Sequence, residues 1–406
     1  MNQKKWTTKS LGKLSKFKSG GTPSKSNPKF WGGDIPWVTA KDMKTPLINN
    51  SIDKLTTEAL NVAKLAPTNT LLILVRGMTL HKDLPLAITK KELAFNQDIK
   101  ALTTCKEILP MFLMIYLSSQ KHKVLKLVDS AGHGTGRLDT DLLKSFPVNY
   151  PSIFEQKKIV DTLVFWDNAI EKTETLIAAK ENQFKWLTQK LFKPTASWQS
   201  YKLSDLFENR RETKNVDLPL ISITREKGVI PHSETNRKDN SNEDKSKYLR
   251  IRPNDIGYNT MRMWQGVSAL STIDGIVSPA YTVCKPKKIV NPEFMAFLFK
   301  TKPMIHKFYR YSQGLTSDTW NLKFHHFSEV KASIPDIETQ SEIAKSLNSA
   351  KKEIDTLRKI SEKYRIQKRG LMQKMLTGEW QVSTQYQTIE ETRKELSKEL
   401  TEEKTA

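Results

Sequence analysis

Two stretches of the chain carry apolar residues at alternating four- and three-residue steps. Positions 159, 163, 166, 170, 173, 177, 180, 184, 187 and 191 hold Ile, Leu, Trp, Ile, Thr, Ile, Lys, Phe, Leu and Leu. Positions 343 to 375, at the same steps, hold Ile, Leu, Ala, Ile, Leu, Ser, Tyr, Lys, Leu and Met. In each set eight of ten are apolar and no Pro intervenes. A sustained 4-3 spacing places one apolar seam along a helix and is the signal of a coiled coil. The alternative is a long helix lying on its own globular domain, but nearly 40 residues is well beyond an ordinary globular helix. Elsewhere the pattern is broken into short pieces. β-like runs at Thr70 to Val75, Leu218 to Thr224 and Gly275 to Cys284 alternate with turn residues, and helical patterns cover Pro110 to Leu127 and Pro292 to Phe308. These segments predict mixed α/β domains.

The chain repeats itself. Trp6, Leu11 and Leu14 recur as Trp198, Leu203 and Leu206, and Pro151, Ile153, Gln156 and Ile159 recur as Pro335, Ile337, Gln340 and Ile343. Under the second shift "LTQKLF" falls on "LMQKML". Anchors that match in order at both ends of each half indicate two copies of one unit. The predicted division is a first globular domain at 1–151, a helix at 152–193, a second domain at 194–337, a second helix at 338–380 and a charged tail at 381–406. A helix of about 38 residues spans roughly 57 Å. If the second helix returns along the first, the expectation is an antiparallel spacer with a globular reader at each end and a pseudo-two-fold relation between the halves.

Charge changes the picture most. Lys and Arg number 66 against 44 Asp and Glu, a net charge of +22. Residues 1–151 carry +12 and residues 194–337 carry +7, so the surplus sits on the two globular domains. Such an excess favours a polyanionic partner, with binding that weakens as salt rises. The first domain has 21 Lys and 2 Arg and the second 14 Lys and 8 Arg. Arg is the commoner reader of guanine and Lys the commoner phosphate contact, so two divergent copies suggest two different half-sites. No apolar run approaches the length of a spanning helix, and the amino terminus lacks the apolar region of a secretory signal. With only two cysteines, Cys105 and Cys284, neither a disulfide scaffold nor a multi-cysteine zinc site is expected. The expected setting is cytoplasmic.

Catalytic motifs are not apparent. "GHGTGR" (Gly132 to Arg137) is glycine-rich but lacks the Lys-Ser/Thr of a phosphate-binding loop. "NPKF" and "NPEF" lack the second Pro of the loop by which amino-methylating DNA enzymes hold a flipped base, and neither follows a glycine-rich S-adenosylmethionine loop. Of seven histidines, His325 and His326 are adjacent, which is poor spacing for metal ligation. The positive signals concern binding and spacing.

The segments "GGTPSKSNPKFWGGDIPWVTAKDM" (Gly20 to Met43), "AFNQDIKAL" (Ala94 to Leu102), "GTGRLDTDLLKSFPV" (Gly134 to Val148) and "YNTMRMWQGVSALSTIDGIVSPAYTV" (Tyr258 to Val283) resemble target recognition domains. The family is that of the specificity subunits of type I restriction-modification systems. The "P-x-I-x-x-Q-x-x-I" starts at Pro151 and Pro335 resemble the entrances to that family's conserved helices. One departure is Glu155 before the first Gln where Thr339 precedes the second. The resemblance covers about residues 5–380 and implies a non-catalytic subunit that reads a split, asymmetric double-stranded DNA target. Its implied partners are two adenine-N6 methyltransferase subunits and motor-nuclease (restriction) subunits. S-adenosylmethionine, ATP and magnesium are expected on those partners and no cofactor on this chain. The residues expected to face DNA lie on loops: Thr22, Lys25, Lys41, Arg76, His81, Lys82, Thr135 and Arg137 in the first domain, and Arg225, Lys227, Arg262, Gln265, Ser317 and Asn321 in the second. Trp37 and Trp264 flank such residues and are also explained by core or rim packing. Two other classes stay open: a DNA-modifying enzyme with a site the motifs do not reveal, and a coiled-coil nucleic-acid-binding scaffold.

Overall fold

The computed structural model describes residues 6–130, 134–224, 228–235, 243–316 and 319–380. The chain forms two compact units, one built from residues up to Lys172 and from Ser361 onward, the other from Thr173–Ile360. The long helices are Ile153–Leu191 and Ile337–Leu376. Each gives one half to each unit.

In the first unit a five-stranded sheet runs in the order Ser15–Ser19, Ile99–Thr104, Leu71–Leu74, Leu86–Thr89, Leu47–Ile48. Leu71 to Leu74 are all buried, as an unbroken apolar run requires when both faces of a strand are covered. A second sheet of Asp53–Leu55, Trp31–Val38, Leu93–Phe95 and Lys64–Ala66 encloses a smaller core around Trp37 and Leu55. The second unit repeats the first four strands of the larger sheet as Phe207–Asn209, Tyr281–Pro286, Ile256–Asn259 and Ser268–Leu270. It replaces the smaller sheet with two separate strand pairs, Ile221–Thr224 with Gly228–Pro231 and Leu249–Ile251 with Gly275–Val277. The chain ends of each domain are tied by an antiparallel pair: Thr7–Ser10 with Pro147–Tyr150, and Gln199–Lys202 with Lys331–Ile334. The repeat seen in the anchors is thus a repeat of topology.

Three predicted elements are interrupted. The helix expected over Pro110 to Leu127 breaks at Gln120 into Pro110–Ser119 and Lys121–Val124, ending in a 3-10 turn. The one expected over Pro292 to Phe308 divides into Pro292–Leu298 and Lys302–Tyr311. Pro303 accounts for the second break, because in a continuous helix its ring would clash with the carbonyl of Phe299. Likewise Gly275 to Cys284 splits into two strands around Pro279, which has no N–H for a ladder.

The long helices pair antiparallel inside each unit. In the first unit Ile159 and Leu163 share a core with Met375 and Leu376, and Trp166 meets Tyr364 edge-on at 5.5 Å. In the second unit Leu187 and Leu191 pack in one core with Ile343 and Leu347. The lysines that interrupt the seam reach acids across it: Lys368 pairs with Asp167, and Lys180 with Glu353 at 2.7 Å. Within each unit the two long helices thus pair antiparallel, as the coiled-coil seam predicts.

Each helix starts at a buried glutamine. Gln156 accepts from the Leu109 amide through Oε1 at 2.9 Å and donates from Nε2 to the carbonyls of Glu107 and Pro151, both at 2.9 Å. Gln340 accepts from the Asn291 amide at 2.8 Å and donates to the carbonyls of Ile289 (3.1 Å) and Pro335 (2.9 Å). Both side chains are essentially fully buried. All three bonds are needed, since an unmatched buried polar group is costly. The helix caps differ: Ser152 Oγ accepts from the Glu155 amide, whereas the Asp336 carboxylate accepts from the backbone N–H and hydroxyl of Thr339, which hold it below the ordinary carboxylate range. That is the local meaning of the Glu155/Thr339 departure.

Candidate nucleic-acid interface

In the first unit the third strand of the main sheet, Leu71–Leu74, delivers the chain into a loop at 75–84. A second loop closes against it. The Leu138 amide donates to the Val75 carbonyl at 2.8 Å, the Gly77 amide to the Gly136 carbonyl at 3.0 Å, and Arg76 and Arg137 stand opposite each other as bridge partners. His81 Nε2 lies 2.7 Å from the Gly134 carbonyl. Because a carbonyl can only accept, this nitrogen carries the proton. Residues 97 and 98 complete the group: the Val75 amide donates to the Asp98 carbonyl at 2.8 Å, and the Thr22 hydroxyl donates to the Gln97 side chain. Gly20 makes that approach possible, for a Cβ there would lie 2.2 Å from the Phe95 carbonyl oxygen. Thr22, Arg76, His81, Lys82, Thr135 and Arg137 therefore form one surface on neighbouring loops. Lys25 and Lys41 are exposed, with no hydrogen bond to that group among the described residues.

The electrostatics of this surface are unusual. Arg76 and Arg137 are both exposed on directly opposed positions, and Arg137 also stands across a strand pair from Asp129 and near Asp139. Like charges facing each other across a strand pair are unfavourable by themselves. An anion between them reverses the sign, and two guanidinium forks match a phosphate or the O6/N7 edge of guanine.

The second unit builds its counterpart at the same place. Its third strand, Ile256–Asn259, leads into a loop at 260–267, and a loop at 312–322 closes on it through a 2.8 Å bond from the Leu322 amide to the Thr260 carbonyl. Gln313 and Asn321 exchange backbone bonds of 2.8 Å. Arg262, Gln265 and Asn321 are brought together here, with Arg262 exposed. Arg225, Lys227 and Ser317 lie outside the described residues, as does the tail at 381–406.

The arginine surplus of the second domain is only partly available for binding. Arg210 grips the buried Asp255 with two bonds of 2.7 and 3.0 Å. Arg250 grips Asp274 with bonds of 3.0 and 2.6 Å and reaches Glu212 at 2.8 Å, where Arg252 also arrives at 3.0 Å. These bonds raise the Arg210 and Arg250 pKa values and hold Glu212 and Asp274 below the ordinary carboxylate range, Arg250 being the main cause for both acids. The Arg count alone pointed to readers, and three of the eight are structural. The tryptophans also separate. Trp37 is 4 % exposed and donates from Nε1 to the Gly21 carbonyl at 2.9 Å, so it belongs to the core beneath the Thr22 segment. Trp264 is half-buried on the loop at 260–267 itself. Gln97 and Trp320 were not singled out from the sequence. Gln97 lies inside the "AFNQDIKAL" segment, where its place between two strands was the available signal. Trp320 is adjacent to Asn321.

Among the described residues, no group of three or more His, Cys, Asp or Glu side chains is placed to hold a metal. No helix there is long and apolar enough to cross a membrane.

The model of the type I restriction modification DNA specificity domain matches the chain twice, over residues 3–181 and 196–364. The chain belongs to that family. The specificity subunit of the Escherichia coli type I restriction enzyme EcoR124I/EcoR124II is 35% identical to it over 191 residues, 45% of this chain and 47% of that protein. The MjaIX specificity subunit of Methanocaldococcus jannaschii is 30% identical over 174 residues, 41% of this chain and 39% of that protein. The chain thus spans about half or less of the length of these relatives in each match. Among solved structures, the S subunit of a type I restriction-modification system from M. genitalium superposes with a TM-score of 0.57 at 16% identity, over 92% of this chain and 97% of that one. A chain from a structure of the type I R-M system, described for complex assembly and conformational transition, gives 0.53 at 11% identity, over 91% and 97%. The two family matches fall on the two halves of the repeat, and each contains one of the loop pairs described above.

Proposed function

We propose that this specificity-domain protein is the DNA-reading subunit of a type I restriction-modification complex. Each unit reads one half of a split, asymmetric duplex target through its paired loops. In the first unit the readers are Thr22, Arg76, His81, Lys82, Thr135 and Arg137, with Lys25 and Lys41 on the phosphates. In the second they are Arg262, Gln265 and Asn321, with Arg225, Lys227 and Ser317 nearby in sequence. The coiled coil sets the gap. Two methyltransferase subunits dock on the chain and bring S-adenosylmethionine, and motor-nuclease subunits bring ATP and magnesium, so the chain itself recognises rather than reacts. Exposed apolar side chains on the long helices, among them Phe165, Trp186 and Ile366, offer surface for such partners. The setting is cytoplasmic, where the DNA is.

The observation that carries this reading is the recurrence of one construction with different side chains. A loop leaves the third strand of each main sheet, a second loop is hydrogen-bonded to it, and the paired loops present Arg76 and Arg137 in one unit and Arg262 with Gln265 in the other. The test is adenine-methylation mapping by long-read sequencing in cells with and without the gene, the cognate methyltransferase being expressed. A split, asymmetric motif that disappears with the gene is the expected result. An unchanged methylome overturns the reading.

A further inference from the structure

The paired loops of the second unit and the helix beside them carry a wall of aromatic rings that the corresponding loops of the first unit lack. Trp264 and Trp320 meet edge to face at 5.2 Å and 84°, and Tyr309 meets Trp320 at 5.0 Å and 74°. Trp264 lies between Arg262 and Gln265, and Trp320 precedes Asn321, so two of the three rings stand on the loops already assigned to DNA, and Tyr309 meets Trp320 from the adjoining helix Lys302–Tyr311. It is built to hold its shape. Trp264 Nε1 donates to the Met261 carbonyl at 3.0 Å. Gly266, at φ +76°, lets the loop close on the helix Lys302–Tyr311, and a Cβ there would come within 2.8 Å of Ile305 Cδ1. Yet the wall is not buried. Both tryptophans are only partly covered, Tyr309 is 44% exposed, and Met261 and Leu315 beside it are 46% and 101% exposed. No carboxylate occurs among the described residues of the two loops. The corresponding loops of the first unit, 75–84 and 128–138, contain no Phe, Tyr or Trp.

A contiguous aromatic surface left open on a soluble protein marks a binding site. Its fixed rings have faces to offer, and the chemistry that matches a flat π-face is another flat π-face. In an intact duplex the base faces are already covered by their neighbours, so a ring face on the wall is matched in full by a base that has left its stack. We propose that the second unit holds one unstacked nucleotide of its half-site against the wall of Trp264, Trp320 and Tyr309, while the first unit reads its half-site without such a stack. The proposal rests on the DNA-reading function above and adds a mode of recognition confined to one half-site.

The test uses the complex of this chain with its methyltransferase subunit and duplexes carrying the mapped target. 2-Aminopurine is placed at one position at a time, and its fluorescence rises when a base unstacks. Methyltransferases extrude the adenine they modify, so a rise at the methylated adenine is expected in both half-sites and is set aside. The expected result is an additional rise at another position, in the second half-site alone. Tyr309→Ala should abolish it and weaken binding about 5- to 100-fold, the range that loss of one base–aromatic stack produces. Tyr309→Phe should retain it. Continued recognition of the first half-site by Tyr309→Ala shows that the variant is folded. Binding and methylation at both half-sites with no Tyr309-dependent rise in the second overturns the stacking proposal alone. Failure to bind or methylate any split target overturns the DNA-reading function, and the stacking proposal with it.

Discussion

The two units share a frame and differ in what the frame displays. Both have the same strand order in the main sheet, the same tie between their chain ends and the same glutamine at the start of the following helix. In the first unit the paired loops present two opposed arginines, with Asp129 across the strand pair from Arg137. In the second they present one free-standing arginine and an aromatic wall, and three other arginines are bound to Glu212, Asp255 and Asp274. The lesson is a division of labour within one sequence. Residues whose bonds are made inside the frame recur in both copies. Residues that leave a charge or a ring face open have diverged, which is what the proposed reading of two different half-sites requires.

The glutamines give the largest expected effect on this comparison. Gln156→Ala removes three buried hydrogen bonds and leaves the Leu109 amide and two carbonyls unmatched, a loss of about 3–5 kcal/mol. Gln340→Ala should cost the second unit a similar amount. Hydrogen exchange measures both: each substitution should release the amide its glutamine holds, Leu109 or Asn291. Exchange unchanged in either variant contradicts the view that the two clamps are equivalent parts of one frame.

The opposed arginines come next. Replacing Arg76 and Arg137 together by Ala should weaken the first half-site by about 2–3 kcal/mol, less than two independent base contacts because their mutual repulsion is also relieved. Methylation of targets altered in each half-site in turn reads the result. Relaxed discrimination in the first half-site, with the second still discriminated, is the expected pattern. Equal loss in both would mean the pair acts only through general electrostatics.

How much of this was legible beforehand follows the same division. The frame was legible because its signals are periodic or repeated: the 4-3 seam predicted both long helices, and the Pro–Ile–Gln anchors aligned them. Breaks at Gln120 and around Pro303 were missed because the apolar pattern continues across them while the backbone does not. Loop chemistry was only half legible. Arg76 is far in sequence from Thr135 and Arg137, and only the bridge between two loops brings them together. The count of eight arginines could not distinguish Arg262 from Arg250, because the acids that bind Arg250 lie 24 and 38 positions away. The aromatic wall was invisible for the same reason, since Trp264 and Trp320 are joined only by the fold.

That distinction between arginines can be tested directly. Arg262→Ala should cost about 1–2 kcal/mol at the second half-site and leave the first readable. If Arg262 lies on a phosphate instead, the log–log salt slope of binding should fall by about one with no change in base preference. Arg250→Ala should do neither. It should loosen the strand pair Leu249–Ile251 and Gly275–Val277, seen as faster exchange there, with sequence preference and salt slope unchanged at saturating protein. An Arg262→Ala variant that discriminates both half-sites normally and keeps its salt slope removes it from the interface.

The smallest effect is the response to acid. Arg250 holds Glu212 and Asp274 below the ordinary carboxylate range. Carboxylates with folded values lower than their unfolded ones contribute stability that is fully present above the unfolded value, near 4, and lost as the pH falls through the lowered folded values. Both side chains are partly open to solvent, so screening keeps the contribution small. No change is therefore expected between neutrality and about pH 5. Below about pH 4 the Leu249–Ile251 strand pair should exchange faster, and in Arg250→Ala that pair should already be loose at neutral pH and respond less to acid. The first unit has depressed carboxylates of its own: Glu107, lowered mainly by its bond to Lys9 and next by Tyr150; Asp83 in the loop at 75–84, lowered mainly by its bond to Lys121; and Asp139 near Arg137, lowered mainly by the Leu142 and Asp141 amides. Acid should therefore loosen the Arg76–Arg137 loops as well as the strand pair of the second unit, with only the second response altered in Arg250→Ala, and an Arg250→Ala chain with an unaltered acid profile would show that the arginine network does not support that strand pair.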